Sequence, residues 1–99
     1  MKKILLVASL LCVNAASANL NLAQKNNCLA CHSVDSKVVG PAFKEIAKAY
    51  QGKAGAEKML IAKVKAGGVG RWGNVPMPPN SQLSPADAEA LVQWILTLK

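Results

Sequence analysis

Five consecutive residues, Cys28-Leu29-Ala30-Cys31-His32, constrain this chain more than any other stretch. Two thiols three positions apart share one face of a helical turn, and an imidazole follows at once. That spacing lets both sulfurs reach the two vinyl groups of one porphyrin and holds the histidine beneath its iron. It is the pattern of covalent haem attachment. His32 is the single histidine among 99 residues, so no other imidazole competes for the role. A redox dithiol would call for a strand-helix-strand context, which the chain does not show. A structural zinc site needs four ligands, and Cys28, Cys31 and His32 supply three with no second cluster. A plain disulfide in an oxidising compartment is conceivable. Haem attachment is the strongest of these readings.

The first residues set the compartment. Met1-Lys2-Lys3 is a short basic start, Ile4 to Val13 is an almost unbroken apolar run, and Ala16-Ser17-Ala18 has the small-x-small form of a cleavage site. Residues 1–18 therefore read as a secretory signal peptide that is removed. The apolar run is too short for a span, which takes roughly 20 helical residues. Cys12 lies inside it after Leu11, which is not the small residue expected before a lipid-modified cysteine, and is lost with the leader. The expected mature chain, 19–99, is one domain in the periplasm with no stable membrane insertion.

That chain holds ten basic and five acidic residues, an excess of +5 that haem propionates would lower by up to two. Nucleic acid is not the expected partner, because the lysines are scattered and no aromatic-basic platform accompanies them. Most of Lys25, Lys37, Lys44, Lys48, Lys53 and Lys58 solvate helix faces, and some steer docking to an acidic partner. A domain of this size buries only about 60% of its unfolded surface. A covalently held haem supplies core that the side chains alone would not.

Four helices are predicted. The first starts at a cap on Asn19 or Asn21 and runs through the haem motif to about His32, where Ser33-Val34-Asp35-Ser36 is turn-like. Gly40-Pro41 closes the next loop. Proline lacks an N–H but keeps a good acceptor, and a backbone carbonyl is the usual partner for the far nitrogen of a metal-bound histidine. Pro41 is the candidate, and it also suits the first position of a second helix over 42–50. A third helix spans 54–66, with Met59 read as core filler, and Gly67-Gly68 end it. Ser84 as cap, Pro85 at the first turn and Asp87 announce a last helix running to the C-terminus. Trp94 on it is expected to be partly buried.

Residues 67–82 cannot be regular structure, because Gly67, Gly68, Gly70, Gly73, Pro76, Pro78 and Pro79 forbid it. Met77 sits between two prolines, which restrict its backbone and can aim a thioether at a fixed target. Thioether sulfur suits haem iron as a sixth ligand, and Met/His ligation raises the reduction potential.

These segments together make the resemblance specific. Asn26 to His32, Val38-Val39-Gly40-Pro41-Ala42, Arg71 to Asn80 and Trp94 to Lys99 are similar to the corresponding parts of class I c-type cytochromes of the bacterial c-551/c-552 (cytochrome c8) kind. The likeness runs over essentially the whole mature chain. It implies an all-α fold of about four helices wrapped around one covalently bound haem c, with the first and last helices crossing and the iron bound by His32 and Met77. It further implies that Trp72 and Lys63 hydrogen-bond the inner propionate, and that Asn80 donates to the sulfur of Met77. A lysine there offers a point charge where the family often has arginine.

With both axial positions filled, the expected function is one-electron transfer rather than catalysis. The partners would be periplasmic or membrane-bound redox proteins with acidic docking surfaces, such as a nitrite reductase or a terminal oxidase, and the carrier itself a monomer. The competing readings are an enzyme or gas sensor with an open sixth position, and a metal-free thiol–disulfide protein.

Overall fold

The computed structural model describes residues 15–99. Residues 1–14, most of the expected signal peptide, lie outside the described residues. Four α-helices follow in order: α1 over Ala15–Lys25, α2 over Phe43–Tyr50, α3 over Ala56–Ala66 and α4 over Pro85–Ile95, with a short 3-10 turn at Cys28–Ala30. Among the described residues the only β pairing is two isolated bridges, His32 with Lys37 and Gly68 with Met77. No helix among them is long and apolar enough to cross a membrane.

The first helix differs from expectation at both ends. It is already helical at Ala15, so neither Asn19 nor Asn21 caps it; Ala15, Ala16 and Ala18 are strong helix formers with no breaker among them. It also stops at Lys25 instead of running to His32. Asn26 Nδ2 donates to Leu22 O at 3.0 Å, taking up a carbonyl of the last turn. Asn27 then adopts a left-handed conformation, φ 65°, which asparagine tolerates better than most residues. The haem motif thus starts a new, tighter turn rather than extending α1.

The second and third helices begin slightly later than predicted. Ala42 is the N-cap of α2, so Pro41 precedes the cap instead of occupying the first helical position. The exposed N–H groups at the start of α2 find partners in the preceding loop: Phe43 N donates to Ser33 O at 2.8 Å and Lys44 N to Val34 O at 3.1 Å. Helix α3 is entered through Gly55, φ 79°, a conformation that glycine reaches without a Cβ penalty.

Helix α4 is the hub, packing against α1, α2 and α3. Its start follows the sequence closely: the Ser84 hydroxyl accepts from Asp87 N at 3.1 Å, with Pro85 in the first turn. It ends at Ile95, short of the C-terminus, and Thr97 Oγ1 donates back to Trp94 O at 2.6 Å. Leu91, Trp94 and Ile95 pack with Ala23 of α1, Phe43 of α2 and Leu83 into one core. Trp94 is buried rather than partly so, its ring edge-on to Phe43 at 5.7 Å.

Candidate functional site

The core stops at a cleft whose walls come from every part of the fold except α1. The 3-10 turn brings Cys28 and the residues after it bring Cys31 and His32; α2 contributes Phe43, Ile46 and Tyr50. Helix α3 adds Met59, Leu60, Lys63 and Val64, the long loop runs along the rim from Gly68 to Pro78, and α4 closes the back with Leu91, Val92 and Ile95.

The 3-10 geometry matters to the thiols. Three residues per turn set positions i and i+3 directly above one another, a closer alignment than an α-helix gives. Cys31 N and His32 N both donate to Cys28 O, at 3.1 and 2.9 Å, which closes the turn. Cys28 and Cys31 are not joined in a disulfide. Burial pushes the Cys28 thiol above its ordinary pKa; a backbone hydrogen bond opposes this and negative charge on Cys31 adds to it.

His32 is held from several directions. Its Nδ1 lies 2.7 Å from the carbonyl of Pro41. A carbonyl only accepts, so Nδ1 carries the proton and Nε2 keeps its lone pair for a metal. The imidazole stacks on Phe43, ring centroids 5.2 Å apart, and Gly40 passes so close that a Cβ there would stand 2.6 Å from Cε1. Gly40 N and Val39 N both donate to Cys31 O, at 2.7 and 3.1 Å, folding the loop over the ring.

Met77 reaches the same cleft from far along the chain. Its backbone pairs with Gly68 in both directions, Met77 N to Gly68 O at 2.7 Å and Gly68 N to Met77 O at 3.0 Å. Gly67, at φ 74°, lets the loop close: a Cβ there would collide with the Met77 carbonyl. Gly67-Gly68, read from sequence as a helix stop, is thus also the seat of the methionine loop.

The other site residues take mixed positions. Lys63 lines the cleft, its chain lying over Gly68. Trp72 lines it too, 42% exposed, with the Arg71 guanidinium 5.2 Å from its ring. Asn80 Nδ2 donates to Val64 O at 3.1 Å and to Pro78 O at 3.4 Å, and so ties the loop to α3. Met59, expected in the core, is 40% exposed and belongs to the cleft wall, because α3 turns this face away from α4. Arg71 and Tyr50 were not singled out by sequence reasoning. A lone arginine beside the tryptophan of the methionine loop was the available signal.

These residues fit a haem: two thiols three residues apart, an imidazole with a fixed tautomer, a thioether from a separate segment, and apolar walls. The charged groups on the cleft among the described residues are all cationic, Lys37, Lys63 and Arg71, as a pair of propionates requires.

The family model for cytochrome c matches residues 21–99. Cytochrome c-551 of Allochromatium vinosum is 57% identical over 84 residues, covering 85% of this chain and 89% of that protein. Cytochrome c-552 of Nitrosomonas europaea is 54% identical over 92 residues, 93% of this chain and 89% of its own length. The crystal structure of wild-type Nitrosomonas europaea cytochrome c552 superposes with a TM-score of 0.78 at 57% identity, over 81% of this chain and 99% of that one. The chain therefore belongs to the cytochrome c family, small electron carriers with one covalently attached haem c.

Proposed function

We propose that the chain is a periplasmic one-electron carrier whose iron is bound by His32 and Met77 and whose haem is attached through Cys28 and Cys31. The observation that carries this is the convergence of those four side chains on one cleft, with His32 and Met77 each fixed by backbone hydrogen bonds. The haem supplies a one-electron couple. The chain's part is to keep the same ligands in place in both oxidation states. Pro41 restrains the His32 ring and raises its basicity. Gly68 anchors Met77, and the apolar wall of α2 and α4 excludes water. Lys63 and Trp72 are placed to meet a propionate.

Residues 1–18 act in this reading as a signal peptide, which places the mature domain, 19–99, in the periplasm. The excess of basic residues suits partners with acidic docking surfaces, a nitrite reductase or a terminal oxidase among them. Such encounters are small, weak and fast, and the carrier works as a monomer.

The test is the holoprotein's ligand field. Met77→Ala is expected to open the sixth position, lower the reduction potential and admit carbon monoxide to the reduced protein, while the wild type binds it slowly or not at all. Rapid carbon monoxide binding by the wild type at neutral pH would overturn the carrier reading in favour of an enzyme or gas sensor.

A further inference from the structure

Arg71 is the single arginine of the chain and stands on the rim of the cleft. Its guanidinium lies over two aromatic rings, 5.3 Å from the centroid of Tyr50 and 5.2 Å from that of Trp72. Its Nε donates to the Tyr50 hydroxyl at 2.9 Å. Tyr50 comes from the end of α2, so an otherwise irregular loop is pinned to a helix at this point.

The arrangement leaves a particular part of the side chain unused. With Nε engaged, the two terminal Nη groups remain, coplanar donors in the fork that matches a carboxylate. No carboxylate lies within ion-pairing distance among the described residues, where Lys44 with Asp35 is the ion pair seen. A guanidinium already fixed by two rings and a hydrogen bond has little freedom left to lose on binding.

We propose that Arg71, held by Tyr50 and Trp72, is a positioning residue for the haem, its two Nη groups taking the propionate at the mouth of the cleft. The inference rests on the haem reading above and adds a bidentate contact that Lys63, a point charge, cannot supply. It also assigns Tyr50 the role of aiming the fork. The titratable and charged groups sharing the cleft are Cys28, Cys31 and His32 of the motif, Lys37 of the following loop, Tyr50 of α2 and Lys63 of α3. None is a carboxylate that would neutralise Arg71 first.

The experiment is a titration of the reduction potential against pH for the holoprotein, at constant ionic strength, in Arg71→Gln, Arg71→Lys and Tyr50→Phe. A propionate that loses its counter-charge holds its proton to higher pH, and once ionised it favours the ferric state. Arg71→Gln should therefore show a lower potential at neutral pH and a pH-dependent fall moved up by about one unit. Arg71→Lys should restore part of the change, and Tyr50→Phe should lie between Arg71→Gln and the wild type. Potentials and profiles that coincide in Arg71→Gln and wild type overturn the proposal and make Arg71 a cation for partner docking, visible only in the salt dependence of electron exchange. Full restoration by lysine overturns the fork. Loss of haem from the wild type in denaturant would instead sink the underlying reading.

Discussion

Gly40 shows how closely single residues are specified around the imidazole. A Cβ at this position would meet His32 Cε1 at 2.6 Å and Nδ1 at 3.0 Å, and the ring cannot retreat because Phe43 stacks on its plane. Gly40→Ala should cost about 1–3 kcal/mol, the range for overpacking a filled site, and should tilt His32 off the Pro41 carbonyl. Thermal unfolding together with the ferric absorption spectrum checks both effects; an unshifted midpoint with an unchanged spectrum would mean that the loop absorbs the methyl group. The sequence pointed to Cys28, Cys31, His32, Pro41 and Met77, which the fold brings to one cleft, because each carries its chemistry in its type and spacing. It did not make Arg71 or Met59 legible. Their roles depend on which way a loop and a helix face turn, which no short-range pattern encodes.

The helices themselves were more legible in the sequence than their ends. Interiors followed from apolar periodicity, whereas boundaries moved wherever a side chain or a distant segment supplied the cap. The two ends of α4 make the contrast plain. At the start, Ser84 bonds Asp87 N three residues away, a local arrangement that a sequence displays. At the end, the carbonyls of Leu96 and Leu98 are met by Gln51 Nε2, at 2.7 and 2.6 Å, from 45 and 47 residues upstream. No glycine and no basic residue of the last turn does that work locally. Ser84→Ala and Gln51→Ala should each cost about 1 kcal/mol, one through a lost cap and the other through lost hydrogen bonds. The sites share no partner, so the double variant should be additive to within about 0.5 kcal/mol. Urea unfolding of the four proteins measures this, and a Gln51→Ala variant as stable as wild type would show that water serves those carbonyls equally well.

At the scale of the molecule, core and cleft wall share residues. Leu91 and Ile95 pack inward with Ala23, Phe43 and Trp94 and also back the cleft, so one layer of α4 serves both purposes. Of the larger side chains among the described residues only Val92 is less than 2% exposed, and it too lines the cleft. A fold of about 80 residues with so thin a core is marginal without a staple, and a haem held in the cleft lined by α2, α3, α4 and the methionine loop would be that staple. Cys28→Ala with Cys31→Ala removes both proposed attachment points, so covalent haem should vanish from a denaturing gel. The more telling consequence concerns cooperativity. Without the haem the wall of α4 faces water, and the methionine loop is left with its backbone pairing with Gly68, the bonds from Asn80 to Val64 and the contact of Arg71 with Tyr50. Far-ultraviolet circular dichroism of the double variant should show reduced helicity and a broad, shallow thermal transition in place of the sharp one of the holoprotein. A sharp transition within a few degrees of the holoprotein's would mean that the side chains close the core unaided.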